Sequence, residues 1–175
     1  IWIKAAVYRP HTTDRTVSFL LVENVSIYGG FSGTETSRNE RDWTTNLTIL
    51  SGDLSDNDDV SAFPTINGNW ENSYHVVKMN ANNATLDGVI IRGGNSNVAG
   101  NYYGGGIYGS GQAPVIRNCV IEYNSANTGG AVSFTSAGNG LLSNNRIQKN
   151  IASLAAGLYS GGATSLTIDR CVFNE

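Results

Sequence analysis

Charge is sparse in this chain. Asp, Glu, Lys and Arg make up 14% of it, with a formal net charge of −3. Nucleic-acid binders carry clustered Lys and Arg, so a nucleic-acid partner is not expected. No run of 18 apolar residues occurs, so no membrane-spanning segment is expected either. Pro and Met are scarce, yet 40% of the residues are hydrophobic, which sets the chain apart from disordered sequences. A clean apolar stripe of helical period is also missing, which argues against a helical solenoid. The Ala-rich "IASLAAGLY" comes nearest, but it aligns with "SANTGGAVS", a poor helix sequence.

What the chain does have is Gly, 21 residues of it, abundant Asn, and a repeat. "IRNCVIEYNSANTGGAVSF" (116–134) returns 26 residues later as "LSNNRIQKNIASLAAGLYS", and "IDRCVF" starts it a third time. Leu86, Ile116, Leu142 and Ile168 share one column; Val89, Cys119, Asn145 and Cys171 share a second. Ile91, Ile121, Ile147 and Phe173 form a third, and Gly106, Ala131 and Gly157 recur before an aliphatic residue. Self-similarity at this period marks a stacked repeat architecture.

Within one repeat, Ile116 and Ile121 are an odd number of residues apart, so strict alternation cannot bury both. A left-handed bend at Asn118 resets the phase, and Asn124 and the Gly pair mark two further corners. Three short strands and three corners per repeat predict an all-β, right-handed, single-stranded parallel β-helix with about 26 residues per coil. The prediction treats 1–175 as one domain, with irregular first coils and long loops over 1–83 and regular coils over 84–175. The chain opens on "IWIKAAVY" and ends within a repeat, so a fragment of a longer protein is expected. Cys119 and Cys171 lie two coils apart, roughly 9.6 Å, beyond the ~7 Å Cα limit for a disulfide. Both are expected free, inward-facing and inert.

"GGAV" (129–132) and "IEYN" (121–124) resemble the GGA-[ILV] and F-x-x-N motifs of chlamydial polymorphic outer-membrane protein repeats. "SIYGGFSGTET", "TILSGD", "ENSYHVV" and "TLDG" are similar to the leading coils of β-helix domains in large secreted bacterial proteins, often adhesin-like. Ile121 and Ile147 stand where that motif has Phe. The resemblance implies a pectate-lyase-like solenoid in a secreted or cell-surface protein, and it carries no catalytic residues.

Loops 32–46 and 55–72 are long enough to suggest function. "SGDLSDNDD" gathers Asp53, Asp56, Asp58 and Asp59. A hard cation takes oxygen ligands, so Ca²⁺ held by Asp53, Asp58 and Asp59 is one reading, with a solvated acidic turn as its competitor. Trp43, Trp70, Tyr102 and Tyr103 are candidate sugar-stacking rings, against the alternative that they fill loops and cap corners. "GGGIYG" (104–109) satisfies a dinucleotide pattern, but a strand follows where a helix is needed. His75 could approach Ser73, though a histidine bonded to its neighbours is the better expectation. Arg117 neighbours Asp87, and Arg92 neighbours Glu122, so neither arginine is set up as a base.

The expected function is a non-enzymatic extracellular module, adhesive, carbohydrate-binding or structural. Its partners would be a polysaccharide or a cell-surface glycan. A polysaccharide lyase or glycosidase, and a unit that stacks end to end into a filament, are the alternatives.

Overall fold

Asn118 and Asn144 hold φ at 54° and 53°, and Gly88 and Arg170 take the same left-handed turn one coil before and after them. That single turn lets Leu86 and Ile91, or Ile116 and Ile121, both point inward. In the computed structural model, which describes residues 1–175 except 112, 137, 163, 164 and 175, the chain is a parallel β-solenoid of about six coils.

One sheet stacks Trp2–Lys4, Ser26–Phe31, Thr85–Asp87, Val115–Arg117, Gly140–Ser143 and Leu166–Asp169. A second stacks Ala6–Tyr8, Thr48–Ser51, Ile90–Arg92, Val120–Glu122, Arg146–Gln148 and Val172–Asn174. The third runs through Phe19–Leu20, Val77–Met79, Ile107–Gly109, Val132–Phe134 and Leu158–Ser160. Leu86, Ile116, Leu142 and Ile168 are register partners, as are Ile91, Ile121, Ile147 and Phe173. The sequence columns are therefore the ladder itself. Apart from Ile168 and Phe173 in the last coil, these side chains are buried.

Two details depart from the sequence reading. Regular coils carry a fourth short strand, seen as the ladder Asn95–Ser96, Ser125–Thr128 and Ile151–Leu154. The second corner also falls one residue early, at Gly93, Tyr123 and Lys149, all with positive φ. Asn124 and Asn150 do not make the turn; they turn inward and bracket the preceding coil. Asn150 accepts from the Asn124 N–H at 3.0 Å and donates to the Ile121 carbonyl at 2.8 Å. Asn124 repeats this on Gly94 and Ile91. Buried amides are stable only with such partners, and here the adjacent coil supplies them.

Asn145 plays the same part between the cysteines, accepting from the Cys119 N–H and donating to the Ile116 carbonyl. Both thiols are free. Burial pushes the Cys119 thiol up to about 12, so it is not a nucleophile near neutral pH. Cys171 is only half-buried.

The long loops are folded by their own carboxylates. Glu35 accepts the backbone amides of Ser32, Gly33 and Thr34, and Asp42 accepts the amides and hydroxyls of Thr44 and Thr45. Those donors hold both carboxyls down to about 2.

Candidate functional site

Loop 32–46 folds back onto the first sheet because glycines leave room for it. A Cβ on Gly30 would sit 2.7 Å from the Trp43 nitrogen, and one on Gly88 would sit 2.7 Å from Arg41 Nη1. Arg41 then reaches across to the next coil, donating from Nη1 to the Gly29 and Asp87 carbonyls and from Nη2 to Asp87 Oδ1 at 2.7 Å. Asp87 also accepts from Arg117 Nε and Asn118 Nδ2, each at 2.8 Å. Burial works against its charge, but the Asn118, Arg41 and Arg117 donors win and keep its pKa below the ordinary value.

Around this knot lies a polar groove of about 590 Å³, lined by Arg38, Arg41, Trp43, Arg117, Asn118, Asn144 and Arg170 among others. Arg41 lies 4.6 Å over the Trp43 ring, and Arg38 caps the Tyr28 ring at 4.9 Å. Arg170 is exposed and pairs with Asp169 at 2.8 Å. Trp43, Asn118 and Asn144 also border an adjoining apolar depression of about 280 Å³, floored by Val89, Ile90 and Val120. One tryptophan thus separates a cationic shelf from an apolar one.

The sequence reading named Trp43 but missed Arg38, Arg41 and Arg170. A signal was present in "TSRNERDW", where Arg38 and Arg41 stand five and two positions before Trp43. The other rings lie elsewhere. Trp70 projects from the 3₁₀ turn Asn69–Glu71 and is 71% exposed. Tyr102 and Tyr103 border a separate cleft of about 170 Å³ with His75, Lys78 and Tyr108. The four rings do not form one surface.

His75 is buried, its Nδ1 bonded to the Gly104 carbonyl at 2.9 Å and its ring stacked on Tyr108 at 5.0 Å. The Ser73 hydroxyl has no partner, so no Ser–His pair forms. Gly104 to Gly109 lead into a strand, as expected of a corner.

Arg117 pairs with Asp87 as the columns imply. Arg92 faces Glu122 in register, yet Glu122 accepts from Gln148 Nε2 instead. The Arg92 side chain turns to the acidic loop, where it lines a cleft of about 140 Å³ with Asp53, Asp56 and Asp58.

In that loop Asp53 is buried and accepts the Asn57 and Asp58 amides. Asp56 pairs with Arg9. Asp58 accepts from Asn72 Nδ2 at 2.8 Å, and burial, aided by the charges of Asp53 and Glu71, lifts its carboxyl to about 6. Asp59 is exposed and caps the Ser61 amide. Asp53 and Asp58 meet, while Asp59 serves a different turn. Among the described residues no three His, Cys, Asp or Glu side chains converge as a metal-binding set. No helix among them is long and apolar enough to cross a membrane.

No known family model matches the sequence, and no curated protein or solved structure shows significant similarity to it.

Proposed function

We propose that the chain is a non-enzymatic β-solenoid module of a secreted or cell-surface protein, and that it binds an acidic glycan along the Arg38–Trp43–Arg170 groove. The observation that carries this reading is the pairing of a cationic shelf with a tryptophan and an apolar depression along the corner between the first and second sheets. A uronic acid has matching halves. Its carboxylate meets guanidinium, which binds carboxylate in a planar, two-pronged fashion, and its apolar ring face meets an aromatic plane. Asn118 and Asn144, one coil apart, repeat the same amide along the groove, which suits a ligand that is itself a repeat.

The enzymatic alternatives lack support in the groove. A lyase needs a base, and the Arg117 and Arg41 side chains are both engaged in ion pairs with Asp87. Inverting or retaining glycosidases need two carboxyls about 5–9.5 Å apart, whereas Asp87 and Asp169 are three coils apart, roughly 14 Å.

The test is binding of polygalacturonate and a neutral glucan by calorimetry at low and high salt. Retention of the acidic polymer alone, weakened by salt and about tenfold weaker in Arg170→Ala or Trp43→Ala, is the expected result. Equal binding of both polymers, or of neither, would sink the proposal. Release of unsaturated or reducing sugar ends would replace it with the enzymatic one.

A further inference from the structure

Four buried side-chain oxygens of loop 55–72 have no donor. They are Asp58 Oδ1, Asn72 Oδ1 and both carboxylate oxygens of Glu71, all of them buried atoms. Elsewhere among the described residues the unpartnered buried side-chain atoms are serine hydroxyls, of Ser18, Ser73 and Ser133. Hydroxyls can rotate to find a partner; carboxylate oxygens cannot become donors while ionised.

The fold sets two of these residues side by side, and the third follows in the chain. Asn72 is 1% exposed, and its Nδ2 is committed to Asp58 Oδ2 at 2.8 Å, which holds its Oδ1 beside the same carboxylate. Glu71 is the next residue, close enough for its charge to oppose ionisation of Asp58. The neighbouring cations are engaged differently. Arg15 donates to the carbonyls of Asn72 and Asn95 and to Asn97, and Arg9 to Asp53 and Asp56. Arg92 adds a favourable charge but no ion pair. Leaving an acceptor buried without a partner costs about 1–3 kcal/mol, and more for a charged one.

We propose that Asp58, Glu71 and Asn72 form a Ca²⁺ site that clasps the two ends of loop 55–72 to each other. The donor set is all oxygen, with no nitrogen or sulfur, which selects a hard cation over zinc or copper. Two carboxylates and an amide supply these four of the six to eight oxygens Ca²⁺ takes, and water or main-chain carbonyls complete the shell. This set keeps one of the three aspartates read from the sequence. Asp53 is a brace with both oxygens on backbone amides, and Asp59 points away. The site lies apart from the groove proposed for glycan, so either can fail alone.

The whole chain, freed of metal by chelation, is melted with and without added CaCl₂, and titrated with Tb³⁺ under tryptophan excitation, Trp70 being the residue before Glu71. The melting temperature should rise by several degrees with Ca²⁺, and Tb³⁺ emission should appear and be displaced by Ca²⁺. Glu71→Gln should abolish both responses yet melt no lower than wild type in chelator, because it removes a buried charge. Asp59→Asn should keep both responses. An unchanged melting curve with no Tb³⁺ emission would overturn the site, leaving water as the partner of these oxygens. An equal response to Mg²⁺, or loss of it in Asp59→Asn, would overturn the Ca²⁺ assignment or its ligand set.

Discussion

Asp87 ties three parts of the chain together: its own strand, the next coil through Arg117 and Asn118, and loop 32–46 through Arg41. The two ion pairs are unequal. Arg117 is 40% exposed, so its pair is screened and contributes little, whereas Arg41 is 8% exposed and has no ready substitute for the carboxylate. Asp87→Ala should therefore destabilise by about 3 kcal/mol, chiefly through the stranded Arg41 guanidinium. Urea unfolding measures it, and a loss below 1 kcal/mol would contradict the account. The pH dependence follows in sign. The folded-state pKa of Asp87 lies below the ordinary 3.8, so its stabilisation is present above that value and fades as pH falls toward the folded pKa. The wild-type-minus-variant difference in unfolding free energy should shrink below about pH 4 and be constant above about pH 5.

At the level of strands and corners, the aliphatic columns were legible because burial and stacking impose one residue type on one ladder position. Leu86, Ile116 and Leu142 announce their register before any coordinates do. The corners were legible only where Asn or Gly makes them. Tyr123, Lys149 and Ala155 adopt the same left-handed backbone with φ of 54°, 51° and 56°, and nothing in their chemistry favours it. The strands on either side and the asparagine brackets impose the turn there. The groove was hidden for another reason: Arg41 meets Asp87 across 46 residues, and no local pattern reports where a long loop lands. Ala155 gives the element-scale test. It occupies the position of Gly104 and Gly129, is exposed, and sustains a left-handed turn that costs a side chain about 1 kcal/mol. Ala155→Gly should raise stability by about 0.5–1 kcal/mol despite the added freedom of the unfolded chain. A lower melting temperature would show that the turn is not strained.

The whole molecule is nearly one-dimensional, since each coil touches mainly the coil before and the coil after it. Energetic coupling should therefore decay along the axis. Leu142→Ala should cost about 2–5 kcal/mol. By hydrogen exchange it should loosen the coils of Ile116 and Ile168 more than that of Ile27. Uniform loss of protection from end to end would instead indicate a single cooperative block.

The brackets at Asn124 and Asn150 make length a quantised property. Each amide holds the backbone of the previous turn, and Asn150 accepts in addition from the equivalent Asn124 side chain, so turns that carry this asparagine can follow one another if the phase is kept. Excising residues 124–149 joins Tyr123 to Asn150, two equivalent sites, and should leave a shorter solenoid that still melts cooperatively. Removing one residue fewer would turn every later side chain to the wrong face. The excision has a chemical reporter. Cys119 and Cys171, kept apart by the turn that holds Asn145, would become neighbours at about 4.8 Å, a Cα spacing a disulfide can span. Oxidation should then consume both thiols in the shortened chain and leave them free to react with a thiol reagent on unfolding of the full one, so two cysteines would read out the number of turns between them.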